Sequence, residues 1–295
     1  MTNRMKVLYT SDLHGEIHLY QELFALVLSS SAEFLAIGGD LLPSFPPTQR
    51  YEDMVPNQKT FIDQFLIPFF ERMMKTTVIR QIFLIPGNWD LGYFHLFRKP
   101  MEGVVDVSQK QSYLKNGYEI IGYPFVPPTP FRPKEFEKMD DRDAPWPPQK
   151  NPSYIRSPDQ THQLIPIDPH LYLRQRETIE EDLGRLPKSK DGRKTIYIMH
   201  SPPFETKLDQ IVGRRFTGSR SIRRFIENTE PLLTLHGHIH EAPEISGSYL
   251  DRIGKTLCVN PGQSIGKTIL KLHAVLFEVE RIEETLQHTC LPREF

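Results

Sequence analysis

Seven side chains in this sequence have the chemistry of ligands for divalent ions, and each stands just past an apolar run. Asp12 and His14 follow residues 6–10, Asp40 follows residues 34–37, and Asn88 follows the run ending at Ile85. His200 follows residues 195–199, and His238 and His240 follow residues 231–235. Imidazole nitrogens with carboxylate and amide oxygens suit Mn, Fe, Zn, Co or Ni, and the absence of thiolate argues against a structural zinc site. In Asp12-Leu13-His14 and His238-Ile239-His240, alternate residues of an extended segment point the same way, so each pair can converge on one point. Seven donors exceed what a single ion would accept while leaving room for a substrate. Two ions sharing Asp40 account for them economically. Such a pair, about 3.5–4 Å apart, clamps a phosphate and activates a bridging water for in-line attack.

The elements that must position these groups follow from periodicity. Residues 6–10 are strand-like, and a helical face of Ile17, Tyr20, Phe24, Val27 and Leu28 comes next, before the apolar run 34–37. Strand, helix, strand in that order predicts a right-handed crossover and a parallel pair, with Asp12 and Asp40 at neighbouring strand ends. Gly38-Gly39 lets the backbone turn sharply there. Residues 41–56 read as a proline-rich loop including Pro46 and Pro47. A helix is expected over about 57–75, kinked or split at Pro68. A third parallel strand over 78–85 leads to Asn88. Short strands are expected over 104–123, with a hairpin turn at Asn116-Gly117. Helix is expected over about 174–186 and again over 220–228, capped by Ser219. Strands are expected over 195–199, 231–235, 255–259 and 272–279.

Composition bounds the function. The 295 residues suffice for a substantial core, and 38% hydrophobic with 25% charged residues fits a globular protein. A net charge of −1 gives no electrostatic reason for nucleic acid or an anionic membrane as a bulk partner. The two cysteines, Cys258 and Cys290, make no disulfide framework, and no stretch has the ~20 apolar residues of a membrane span. A cytoplasmic, reducing setting is the expectation. The 26 prolines approach twice the usual share of about 5%. Many fall in an insertion expected at about 126–173, within one domain covering 1–295, and its aromatics favour a packed lid or flank over a free linker.

The order of motifs resembles the calcineurin-like metallophosphoesterases, whose pattern is Asp-x-His, Gly-Asp, Gly-Asn-His-Asp/Glu, a lone His, then Gly-His-x-His. Here it stands as Asp12-Leu13-His14, Gly39-Asp40, Gly87-Asn88-Trp89-Asp90, His200 and Gly237-His238-Ile239-His240. The resemblance spans roughly residues 5–262. It implies an α/β fold, a four-layer α-β-β-α sandwich of two mixed sheets flanked by helices. It also implies two divalent ions, manganese first among the choices. One would be held by Asp12, His14, Asp40 and His240, and the other by Asp40, Asn88, His200 and His238. Asp40, Asn88 and His200 would also act in catalysis.

One departure bears on the chemistry. The family's motif histidine, usually assigned to the transition state or the leaving oxygen, is here Trp89. Indole donates a hydrogen bond but transfers no proton. General-acid help is worth about 10²–10⁴-fold, so its loss disfavours poor leaving groups and leans the expected activity toward phosphodiesters over monoesters. The expected substrate is a small phosphoester, with a nucleotide as one form. The alternatives are a nuclease, which a neutral overall charge disfavours, and a non-catalytic interaction module, which the intact ligand set disfavours.

The duller readings stand beside these. A lone histidine is more often a packing residue, and His162, His170, His273 and His288 are read so. His236 reads as structural or substrate-facing. His18 and His95 are poor candidates to replace the missing acid. Arg214, Arg215, Arg220, Arg223 and Arg224 form a basic cluster that reads as a phosphate clamp or as a solvated helix face beside Glu227. Trp146, Phe125, Phe131 and Tyr154 serve base stacking or packing of the insertion.

Overall fold

The computed structural model describes residues 4–44, 50–157 and 163–291, so Pro46, Pro47 and His162 lie outside the described residues. Strand β1 (Lys6–Thr10) leads through α1 (Ile17–Ser30) to β2 (Phe34–Ile37), and α2 (Met54–Phe61) and α3 (Ile67–Thr76) precede β3 (Gln81–Leu84). Then come β4 (Val104–Asp106), β5 (Gln111–Tyr113), β6 (Glu119–Tyr123), β7 (Ser153–Arg156) and β8 (Leu164–Ile167). Helices α4 (Pro169–Arg174) and α5 (Ile179–Leu183) lead to β9 (Thr195–Met199), β10 (Gln210–Ile211) and β11 (Arg215–Phe216). Next are α6 (Arg220–Thr229), β12 (Leu233–Leu235), α7 (Ala242–Ser246), β13 (Leu250–Ile253) and β14 (Thr256–Val259). The last described elements are β15 (Val275–Glu278), α8 (Ile282–Thr285) and β16 (Gln287–His288).

Two six-stranded sheets result, ordered β16-β15-β1-β2-β3-β4 and β13-β14-β12-β9-β6-β5. In the first, β1 to β4 are parallel and β15 and β16 antiparallel additions; in the second, β6, β9, β12 and β14 are parallel and β5 and β13 antiparallel. Alternation along each strand makes the layers. Val7, Tyr9, Phe34, Ala36, Ile196 and Ile198 face the core between the sheets. Leu8, Leu35 and Ile37 face α1 and α3, while Tyr197 and Met199 pack with α5 and α6 residues. Because both faces are buried, these strands read as continuous apolar runs. Each fully buried Leu or Ile contributes about 1.5–3 kcal/mol through water released on folding. Tyr9 ties the layers together, its hydroxyl donating to the His236 carbonyl at 2.8 Å across the sandwich.

The expected β1–β2 crossover is parallel, with Thr10 beside Ile37. Asn116 and Gly117 both adopt positive φ, 58° and 76°, in the turn joining β5 to β6. Three expectations need correction. The loop over 41–56 ends early: α2 starts at Met54, with Pro56 in its first turn, where a missing N–H breaks no helical bond. The helix over 57–75 contains a π-helical stretch, Ile62–Leu66, just before Pro68. A proline cannot donate to the residue four back, so the helix widens ahead of it. Of the helix expected over 174–186 only α5 (Ile179–Leu183) forms: α4 already ends at Arg174, and Thr178 and Glu181 form a reciprocal capping box that starts α5 afresh.

Between β6 and α4, β7 pairs antiparallel with β8, and Val126 bridges to Glu137. Lys134 and Glu137 are fully buried there as an ion pair at 2.8 Å, with Lys134 Nζ also donating to the Thr129 carbonyl at 2.8 Å. Glu137 further accepts from the Thr129 N–H at 3.0 Å.

Candidate metal centre

The parallel pairing of β1 and β2 continues past their ends and carries the first two carboxylates together. Gly38 donates to the Thr10 carbonyl, Asp12 to that of Gly39, and His14 to that of Asp40, at 2.8–2.9 Å. Gly39 has φ 103°, and a Cβ there would stand 2.5 Å from His200 Nδ1 and 2.9 Å from Gly87 Cα. A Cβ on Gly87 would meet Asp40 Oδ1 at 2.2 Å. The motif glycines are therefore required by close approach of three strand ends. Asp12, His14, Asp40 and His238 all take left-handed backbone conformations, with φ between 46° and 68°. Such strain costs an L-residue about 1–2 kcal/mol and gathers at functional sites.

Asp12, His14, Asp40 and His240 each offer one ligand atom, and these atoms all lie within 4.8 Å of one another. His240 Nε2 is 3.3 Å from Asp12 Oδ1 and 3.1 Å from His14 Nε2. His14 Nε2 is 3.6 Å from Asp40 Oδ2. On the other side of that oxygen, His200 Nε2 stands 3.4 Å from Asp40 Oδ2 and 3.3 Å from Asn88 Oδ1. The His238 ring centroid lies 5.3 Å from that of His200. The structure thus brings all seven candidate residues to one edge of the sandwich, in two groups that meet at Asp40 Oδ2. The second Asp40 oxygen, Oδ1, accepts the Trp89 N–H at 2.9 Å.

Hydrogen bonds aim these groups. His200 Nδ1 is 2.7 Å from the Gly38 carbonyl, which fixes the proton on Nδ1 and turns Nε2 inward. The His238 N–H donates to both Asp12 oxygens, at 3.0 and 3.1 Å, and Ser11 Oγ donates to Asp12 Oδ2. His14 Nδ1 and Asn88 Nδ2 are buried with no partner among the described residues. Burial opposes charge on His200, yet the Asp40 and Asp12 carboxylates and the Gly38 carbonyl raise its pKa to about 9. Burial drives His14 down to about 4 and His238 to about 3, with neighbouring imidazolium adding to both. Burial works against the Asp40 anion, but His200 and His14 pull its carboxyl below the usual range. Two buried carboxylates facing converging imidazole nitrogens, with no thiolate, fit divalent transition ions.

The sequence profile of the calcineurin-like phosphoesterases matches residues 5–242. The chain belongs to the calcineurin-like phosphoesterases. This calcineurin-like phosphoesterase resembles solved structures at low identity. One crystal structure covers 97% of this chain and 99% of its own, with TM-score 0.58 at 14% identity. TT1561 of Thermus thermophilus covers 97% and 98%, with TM-score 0.54 at 14% identity. A novel archaeal phosphodiesterase covers 96% and 98% with TM-score 0.45 at 10% identity, too low to carry an argument. No curated protein matches the sequence. At these identities the likeness shows the fold.

Around this candidate centre of the phosphoesterase the structure assigns roles that spacing left open. Trp89 is half-buried, 5.2 Å from Phe131 between ring centroids, and packs beside Met54, Val55, Leu91 and Leu164. Asp90 accepts from the N–H groups of Gly87 (2.9 Å), Leu41 (3.1 Å) and Leu42 (2.8 Å), clamping the Asp40 loop to the Asn88 loop. Burial, then the Asp40 charge, pushes Asp90 up to about 7 against those three bonds. Gln58 of α2 donates to the Trp89 and Pro43 carbonyls and accepts from Gly92 at 2.7 Å. Gln58 was invisible in the sequence because nothing local marks a helix residue that spans two distant loops. His236 is structural, its Nδ1 2.9 Å from the Ser201 carbonyl and its Nε2 2.8 Å from Thr234 Oγ1. His18 pairs with Glu22 on α1, and the His95 ring lies against that of Phe94. His170 packs on Trp146, and His273 and His288 both face the Pro261 carbonyl.

Proposed function

We propose that this chain is a dinuclear metal-dependent phosphoesterase that favours phosphodiesters. The observation that carries the reading is Asp40 Oδ2, flanked at 3.6 and 3.4 Å by imidazole nitrogens belonging to two ligand groups. Asp12, His14, Asp40 and His240 would hold one ion, and Asp40, Asn88, His200 and His238 the other. Bound there, divalent ions, Mn²⁺ foremost, would supply Lewis acidity toward phosphoryl oxygens and a lowered pKa for the attacking water. The chain's part is preorganisation. Gly38 holds the His200 tautomer, Asp90 locks the two ligand loops, and the left-handed residues are held in place by surrounding packing. Asn88 and His200 would line the face where the phosphate docks. We read residues 1–295 as one domain in which 126–173 form a flank, and place the protein in the cytoplasm, acting on a small phosphoester, with a nucleotide as one form.

The diester preference rests on Trp89. An indole beside the ligand Asn88 cannot protonate an alkoxide, so the leaving group must depart largely unaided. The test is the metal-stripped protein reloaded with Mn²⁺ and assayed on a bis-aryl phosphodiester, an aryl monoester and an alkyl monoester. The reading expects kcat/KM to fall in that order. A high rate on the alkyl monoester with little on the diester would overturn it.

A further inference from the structure

Among the described residues the arginines are nearly all engaged, and the two that are not stand together on one arm. Arg223 pairs with Glu227 at 2.9 Å and donates to the Phe204 and Glu205 carbonyls. Arg224 bridges Asp141 and Glu180 at 3.1 Å each, and Arg220 lies 4.2 Å over the Phe204 ring. These three belong to packing and to helix-surface pairing. Among the described residues, Arg214 and Arg215 alone of the arginines have no carboxylate, carbonyl or aromatic ring at the guanidinium, and both are exposed. The segment 210–217 that carries them has no acidic residue.

That segment is the β10–β11 hairpin, in which Ile211 pairs with Arg215. Its tip turns through Gly213 (φ 81°) and Arg214 (φ 55°). A left-handed φ suits glycine or asparagine and disfavours a side chain such as arginine. A Cβ on Gly213 would meet nothing within 4 Å, so no crowding dictates what sits at this tip. An arginine at a left-handed turn position with its charge unpaired points to a role for the charge.

The arm's base is hydrogen-bonded to the metal-centre edge. Its first strand, β10, begins ten residues after His200. The Asp209 carboxylate joins its two sides, accepting from Thr206 (2.8 Å), Glu205 (3.2 Å) and Gly218 (2.9 Å). Asn260 Nδ2 donates to the Leu208 carbonyl at 3.1 Å and to those of Gly237 (3.3 Å) and Ile239 (3.1 Å), which flank His238. One amide thus couples the hairpin to the loop bearing two of the ligands.

We propose that the β10–β11 hairpin is a second anion subsite, in which Arg214 and Arg215 take a further phosphate group of the substrate. This rests on the phosphodiesterase reading and narrows its substrate class to diesters carrying at least one additional phosphate. Guanidinium forks match phosphate oxygens in geometry and charge, and a tip free of acids leaves that charge uncompensated.

The test uses Mn²⁺-loaded protein and four probes: a bis-aryl phosphodiester, thymidylyl-thymidine, and the same dinucleotide with a 5′- or a 3′-terminal phosphate. The wild type is expected to prefer at least one phosphorylated dinucleotide. Arg214→Ala with Arg215→Ala should lower kcat/KM for it roughly tenfold, as two exposed ion contacts would, and leave the bis-aryl ester unchanged. The KM for that dinucleotide should also rise less steeply with salt in the double variant. Arg214→Gly suits the turn's backbone and should still lose part of the preference, which separates charge from hairpin shape. Turnover of the bis-aryl ester with no preference for either phosphorylated dinucleotide would overturn the subsite and leave the phosphodiesterase reading standing. No turnover of any diester with any metal would overturn both.

Discussion

Asp40→Asn isolates the role of one oxygen. Asparagine keeps the shape of the side chain, and its Oδ1 can still accept the Trp89 N–H now bound at 2.9 Å. The loop should therefore hold. What is lost is the charge on Oδ2, the atom 3.6 Å from His14 Nε2 and 3.4 Å from His200 Nε2. Removing one member of a buried charged cluster costs about 3–5 kcal/mol, or roughly 10²–10⁴-fold in affinity. Because Oδ2 serves both groups, each ion should weaken by that order. Equilibrium dialysis against Mn²⁺ with elemental analysis reads the result. At metal concentrations that saturate the wild type with two ions, Asp40→Asn should retain close to none. His240→Ala, which touches only the Asp12 group, should retain about one. An Asp40→Asn protein that keeps one tightly held ion, like His240→Ala, would refute the bridging assignment.

Other consequences follow from the same geometry. His200 is raised to about 9 by the carboxylates around it, so Mn²⁺ must displace a proton; titration calorimetry in buffers of different ionisation enthalpy at pH 7.5 should show proton release, and none would contradict this. His236 is lowered from 6.5 to about 4 by burial, so its neutral form stabilises the fold fully above pH 6.5 and that contribution, roughly 3 kcal/mol, is lost as pH falls toward 4. His236→Gln should flatten this part of the stability–pH curve in urea unfolding, and an unchanged slope would count against it. Lys134→Met leaves Glu137 buried without its cation and should cost about 3–5 kcal/mol. Burial already raises Glu137 to about 7, so the penalty should be smaller at pH 6, where the carboxyl takes a proton, than at pH 8; a pH-independent loss would show that packing, not charge, was removed.

The candidate centre was legible because its candidate ligands sit at strand ends, and a strand end is marked twice, by the apolar run and by the polar residue that breaks it. Asp12 and Asp40 became neighbours through a single topological rule, and the paired ends of β1 and β2 agree. Ser219 was readable as a cap because its hydroxyl meets the Ile222 N–H at 3.0 Å, a contact local in sequence. What escaped was non-local or short. Strands β10 and β11 have two residues each, too few for alternation to register. Asp90 serves backbone groups 48 and 49 residues away, and no spacing rule reaches that far. The start of α5 was available in principle, since Thr178 and Glu181 have capping-box spacing, but the apolar periodicity on either side obscured it.

The central claim is that two ions sit on either side of Asp40 Oδ2. A crystal of the protein loaded with Mn²⁺, measured at the manganese absorption edge, tests it directly. The account predicts two anomalous peaks about 3.5–4 Å apart, one against Asp12, His14 and His240 and the other against Asn88, His200 and His238, with Asp40 between them. A single peak, or two peaks of which Asp40 touches only one, would contradict it.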